Sequence, residues 1–271
     1  MKTLKNHVII YDEECPMCNL YTSAFLKSGM LDVNGRVAYN KMGMDITCKL
    51  DKDRARNEIA LVDTEEGSVS YGLESLYKVI GHNIPLLWPL FRFKPFNFIM
   101  KKLYFFVSYN RKVIVPSADS GFNACIPDIN KKYRLAFILF AWIVSALTIN
   151  AFSARLVPLV PASNLWRELL ICGGQLVFQG VLIFFLNKGK ILDYLGNVIA
   201  VSLIGSLLLL PALCFPYSGV MFSNVGYLGY FLIVVGIILL EHKRRVKLLN
   251  LPSVLTLGWL IYRLIVLLII L

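Results

Sequence analysis

Two thiols separated by two residues, Cys15 and Cys18, are the strongest chemical feature of this sequence. If a helix begins between them they lie one turn apart at its N-terminus, where a disulfide closes with little backbone movement and the helix dipole favours the thiolate of Cys15. Such a pair can trade electrons: Cys15 attacks a substrate disulfide and Cys18 resolves the mixed disulfide, or the same steps run in reverse to oxidise a partner. Pro16 suits the first turn of that helix. Asp12, Glu13 and Glu14 stand just before the thiols, and their charge opposes a thiolate; Asp12 could instead accept the proton of the second thiol. A zinc or copper site is the competing chemistry. It needs more ligands than are nearby, with no second C-x-x-C and no C-x-x-H in reach, although Cys48 offers a third thiolate. Redox use without a resident metal is the preferred reading, and an inert structural pair stays open.

The elements that must hold this pair can be read around it. Val8-Ile-Ile-Tyr11 reads as a short buried strand, and helical spacing then runs from Pro16 through Leu20, Ala24 and Phe25 to a stop at Gly29. Arg36 to Tyr39 reads as a second strand. Ile59 to Asp63 and Ser68 to Tyr71, joined across Glu65-Glu66-Gly67, read as a hairpin, after which Leu73 to Ile80 resumes helical spacing. The order strand, helix, strand, helix, hairpin, helix predicts an α/β thioredoxin-like domain over residues 1–115. Its last stretch, Ile84 to Lys112, contains no acid and is broken by Pro85, Pro89 and Pro95. A helix is expected there from about Phe96 to Tyr109, set against a membrane surface or against the domain's own sheet.

A chain of 271 residues that is 57% hydrophobic and 17% charged, with mean hydropathy +0.63, is too apolar for an ordinary soluble globule. Only nine of its 28 Lys and Arg and three of its 17 acids lie beyond Arg134, so the first half reads as soluble and the second as membrane. The net charge of +11 would suggest nucleic acid in a soluble protein. Here the excess flanks apolar spans or lies between Arg92 and Lys112, so the expected partner is the lipid bilayer and not nucleic acid. The start, with its short apolar run and three following acids, does not read as a signal peptide. Beyond the close pair, Cys48, Cys125, Cys172 and Cys214 do not suggest a secreted disulfide scaffold.

After a linker at 116–134, an all-α transmembrane region is expected, with about five helices at 135–152, 166–186, 191–215, 222–240 and 254–271. Lys131, Lys132, Arg134, Lys188, Lys190, Lys243, Arg244, Arg245 and Lys247 all fall on one side of it, against Arg155 and Arg167 on the other. The loop around Pro216 to Asn224 is uncharged. That asymmetry predicts a multi-pass protein of the bacterial inner-membrane kind with its N-terminal domain in the cytoplasm. Arg263 near the middle of the fifth stretch must face protein or water, and four spans plus an interfacial helix is the alternative. Cys172, Gln175 and Gln179 share one helical face and form a polar stripe in the second span. Cys172 and Cys214 both fall toward the outer leaflet. They could exchange electrons with a quinone or periplasmic partner in a pocket shaped by the stripe and Arg263; inert thiols and interhelical hydrogen bonds, with Gly173, Gly174 and Gly180 as packing residues, are preferred. His7, His82 and His242 are too scattered to form a ligand set.

The stretch Val8-Ile-Ile-Tyr-Asp-Glu-Glu-Cys-Pro-Met-Cys18 resembles the DCC family of thiol-disulfide oxidoreductases, named for an Asp followed by two Cys, and Asp12, Cys15 and Cys18 match that motif. The hairpin with its following helix and the segment Leu103-Tyr-Phe-Phe-Val-Ser-Tyr-Asn-Arg111 also look like family blocks, so the resemblance covers residues 7 to about 112. Glu13 stands where the family usually has Gly, and no proline precedes Ile59 where thioredoxins carry the cis-proline of the substrate groove. The resemblance implies thiol-disulfide exchange through a redox-active disulfide, without a separate cofactor, on a protein or small-molecule thiol or disulfide. A membrane-anchored enzyme is the expected function. A transporter or electron conduit with the thiol domain as redox sensor or metal-binding module is the alternative.

Overall fold

In the computed structural model of the chain, His7–Tyr11 forms β1, the strand from which the redox motif departs. Residues 2–117, 128–214 and 224–270 are described; most of the expected linker, Cys125 and residues 216–223 of the third membrane loop lie outside them. Two units divide the chain, Met1–Tyr133 and Arg134–Leu271.

The first unit is a mixed α/β domain. After β1 come α1 (Pro16–Lys27), β2 (Arg36–Ala38), the short helices α2 (Met44–Thr47) and α3 (Lys52–Asn57), then the hairpin strands β3 (Ala60–Asp63) and β4 (Val69–Tyr71), and α4 (Leu73–Asn83). The sheet runs in the order β2-β1-β3-β4, with β1 parallel to β2 and the other pairs antiparallel. β1 is paired on both edges and covered on both faces, so its alternation feeds two cores. Ile9 packs with Leu31, Ile59, Leu61 and Val79 on one face. Ile10 packs with Leu50, Ala55, Ala60 and Val62 on the other. Gly72 turns the chain from β4 into α4 at φ +60, a left-handed conformation that favours glycine.

Two further helices complete the domain, α5 (Trp88–Arg92) and α6 (Lys94–Ile114). The second runs beyond the expected 96–109 at both ends. Pro95 in its first turn lacks only an N–H that the helix leaves unused, and Arg111 and Lys112 in its last turn suit the negative pole. It packs against its own domain: the Tyr104 hydroxyl accepts the Ile59 N–H at 3.0 Å, and the Ser108 hydroxyl donates to the Asn57 carbonyl at 2.6 Å. Phe98 and Ile99 on its other side are exposed.

The second unit is helical, with α7 (Lys131–Ser153), α8 (Leu165–Leu186), α9 (Ile191–Cys214), α10 (Asn224–Leu248) and α11 (Val254–Ile270). The first four are long and apolar enough to cross a membrane; α11, at 17 residues, is a shorter apolar helix. Ile183, Tyr194, Val198, Val201, Leu255 and Trp259 form a buried core among them.

Candidate active site

Cys15 caps α1. Its backbone is extended (φ −85, ψ 109), its carbonyl accepts the Asn19 N–H at 3.0 Å, and its sulfur accepts the Cys18 N–H at 3.5 Å. Pro16 occupies the first helical turn. Upstream, the Asp12 carbonyl accepts the Cys15 N–H at 3.2 Å and its carboxylate accepts the Glu14 N–H at 3.1 Å, which turns the chain from strand to helix over Glu13 and Glu14. Thr22 anchors the next turn by donating to the Cys18 carbonyl at 2.7 Å. Strand end, capped turn and helix start therefore set the two sulfurs side by side, both as free thiols.

Both cysteines are nearly covered, Cys15 at 2% and Cys18 at 7% exposure, and Asp12 is buried with them. A cavity of about 250 Å³ borders the pair; Cys18, Met17, Tyr21, Leu76, Tyr104 and Arg111 are part of its wall, and Cys15 is not.

The electrostatics separate the two thiols. The S–H of Cys18 donates to the Cys15 sulfur, and with the Cys18 N–H and the nearby Arg111 cation this brings the Cys15 pKa down to about 6, against the opposing pulls of burial and of Asp12. Donating that proton, and then burial, pushes Cys18 up. The acids before the motif do not cancel the effect. Glu13 is engaged by Lys41 at 2.8 Å and held below its usual range by that hydrogen bond. Asp12 is raised, because burial outweighs the attraction of Arg111 and Lys112.

Arg111 is the residue whose place beside the thiol pair sequence reasoning missed. It counted among cations suited to lipid headgroups, yet it is 5% exposed, sits 3.5 Å from an Asp12 carboxylate oxygen and donates to the Arg56 carbonyl at 3.0 Å. Its charge is felt at Asp12, Cys15, Cys18, Tyr21 and Tyr104 alike. The signal that could have found it is the absence of acids on its own helix, which leaves a strand-end carboxylate such as Asp12 as its partner.

Cys48 lies apart from the motif, exposed at the end of α2. In the second unit Cys172, Gln175 and Gln179 are all buried on one face of α8. Gln179 receives the Tyr194 hydroxyl at 2.7 Å and donates to the Leu255 carbonyl at 3.3 Å, an interhelical hydrogen-bonding role. Cys214 is the last residue of α9 and is exposed. Arg263 holds its guanidinium 5.3 Å from the centre of the Trp259 ring, a cation–π contact within the helical unit.

A depressed Cys15 pKa has a direct readout. In the reduced chain, the rate of Cys15 alkylation by iodoacetamide should rise with a midpoint at about pH 6 and then level off. Cys18→Ala removes the S–H donor and should move that midpoint upward, toward the ordinary thiol value of about 8.5. Because the folded pKa lies below the unfolded one, Cys15 stabilises the reduced fold at high pH, and this contribution is lost as pH falls through about 6. A midpoint already at the ordinary value in the parent would show that the sulfur pair does not share a proton.

Residues 9–115 match the family model described as DCC1-like thiol-disulfide oxidoreductase. The match runs from β1 to just past α6 and so contains Asp12, Cys15, Cys18 and Arg111. No curated protein matches the chain, and no solved structure does.

Proposed function

We propose that this DCC1-like domain is a thiol-disulfide oxidoreductase whose working pair is Cys15 and Cys18, held at a membrane by the helical unit. The observation that carries the proposal is geometric: Cys15 caps α1 with its sulfur accepting the Cys18 N–H, and the same arrangement lowers the Cys15 pKa while Cys18 keeps its proton. The strand order β2-β1-β3-β4, with the motif leaving the interior strand β1 into α1, supports a thioredoxin-like plan.

The Cys15 thiolate attacks one sulfur of a substrate disulfide, forming a Cys15–substrate bond and releasing the other half as a thiolate. Cys18 then gives up its proton, either to that thiolate or to Asp12, whose raised pKa makes it the better base. The new Cys18 thiolate displaces the second substrate thiolate from Cys15, so two electrons leave the pair as its disulfide closes. No separate cofactor enters these steps, and the substrate is a protein or small-molecule disulfide.

The charge asymmetry of the helix-flanking loops supports an N-terminal domain on the cytoplasmic side of a bacterial inner membrane. The test is a redox titration of the full chain in glutathione buffers, with free thiols trapped by a maleimide and counted by mass. A single two-electron transition confined to Cys15 and Cys18 is expected; a pair that stays reduced at every poise would refute the proposal.

A further inference from the structure

We infer that the turn between α10 and α11 is a binding site for the phosphate headgroup of an anionic phospholipid. Helix α10 closes at Asn250, whose left-handed backbone (φ 51) lets Leu251 N–H reach the Val246 carbonyl at 3.1 Å, so the chain doubles back through Pro252 into α11. A cavity of about 620 Å³ lies in that bend, lined by Lys243, Arg244, Lys247, Asn250, Ser253 and Thr256.

The charge in this cavity is unbalanced. Glu241, the acid of this helix end, is already taken: Arg244 donates to it twice, at 2.6 and 2.7 Å, and Arg245 once at 2.7 Å. Arg245 then turns inward, donating to Asn197 at 2.9 Å. The free carbonyl of Leu249 at the helix end is met by Lys190 at 2.6 Å. Lys243 and Lys247 make no ion pair among the described residues and are exposed. The Thr256 hydroxyl is sheltered from solvent without a hydrogen-bond partner there. Two uncommitted ammonium groups and one unmet hydroxyl lining one cavity are the donors that a phosphate oxygen takes.

An adjoining apolar stripe selects the lipid over the free ion. Leu240 lines the same cavity, and Ile233, Ile237 and Leu240 form an exposed row on α10 that leads into Lys243, Arg244 and Lys247 at helical spacing. Apolar row followed by cations matches an acyl chain followed by its phosphate. A choline headgroup would place a cation among the lysines, whereas an anionic headgroup adds no such repulsion.

The test uses the full chain in a neutral detergent, with lipid adducts counted by native mass spectrometry. Phosphatidylglycerol should bind in clear preference to phosphatidylcholine, and inorganic phosphate at roughly physiological ionic strength should weaken but not displace it, because the exposed lysines are screened while the apolar row Ile233, Ile237 and Leu240 still holds the acyl chain. Lys243→Gln/Lys247→Gln should weaken phosphatidylglycerol binding roughly thirty-fold, the loss expected for two interfacial cations. Lys101→Gln/Lys102→Gln on α6 should leave it unchanged. Equal binding of the two lipids, or an unaffected Lys243/Lys247 variant, would overturn the assignment, and displacement by inorganic phosphate would reassign the cavity to a soluble anion. The lipid preference is read on the parent chain, so the result does not depend on how any variant folds.

Discussion

Cys15→Ser should reduce turnover of a disulfide substrate to the background rate, a loss of roughly a thousandfold or more, because a serine hydroxyl is not ionised where a thiol of pKa about 6 is. Cys18→Ser should abolish turnover as completely but by a different route. Its hydroxyl still donates to the Cys15 thiolate, so the first attack proceeds and the reaction stops at a mixed disulfide that mass spectrometry can weigh. The two losses should not add: Cys15→Ser/Cys18→Ser should be no slower than either alone, as is usual for groups that act as one unit. The assay is reduction of a chromogenic disulfide by the full chain with a renewable thiol donor. The covered state of Cys15 makes the trapping arm decisive. Should the mixed disulfide accumulate in Cys15→Ser instead, the first bond forms at Cys18, the sulfur that lines the cavity, and the order of attack proposed above is wrong.

Much of this site was legible because its determinants are local. An apolar run of four, a proline after the first thiol and a glycine thirteen residues after Pro16 predict strand, capped helix and stop, and β1, α1 and the positive φ of Gly29 lie there. The hairpin was legible from two short runs joined across Glu65-Glu66-Gly67, and the structure trims it only at Ile59 and Ser68. What could not be read was set by distance along the chain. Arg111 reaches Asp12 from a helix almost a hundred residues downstream, and on its own helix it is one cation among several in an acid-free stretch. Composition favoured a solvated or lipid-facing role for all of them; burial singles out one. The balance at Cys15 was equally out of reach. Three acids beside a dipole gave opposed effects of similar size, and the decision came from a neighbour's S–H and from Lys41 drawing Glu13 aside. The membrane half was legible as apolar length, but which polar side chains face protein was not. Arg263, costly in lipid, rests over Trp259, four residues earlier on the same helix.

Arg111→Leu is expected to be the most damaging substitution in the sheet domain outside its apolar core. Removing the guanidinium leaves the Asp12 carboxylate buried without its cation and the Arg56 carbonyl without that donor, a combination that typically costs about 3–5 kcal/mol. Loss should appear as a lower denaturation midpoint for the N-terminal unit of the full chain, followed by protease sensitivity. Its pH dependence has a definite sign. Burial already raises the folded-state pKa of Asp12, so its protonated form favours the fold at low pH and that contribution is lost as pH rises; without Arg111 the pKa climbs further, and the variant should suffer least in acid and most at neutral pH and above. Asp12→Asn/Arg111→Leu removes both charges together and should recover part of the loss, with a coupling of about 0.5–3 kcal/mol. Arg111→Lys separates charge from geometry. An ammonium keeps the field that lowers the Cys15 pKa but lacks the planar fork that spans Asp12 and the Arg56 carbonyl, so the Cys15 alkylation midpoint should stay near its parent value while stability falls. In Arg111→Leu that midpoint should move up as well. An Arg111→Leu chain with both unchanged would mean that the buried pair is a bystander, and that Cys15 owes its acidity to Cys18 alone.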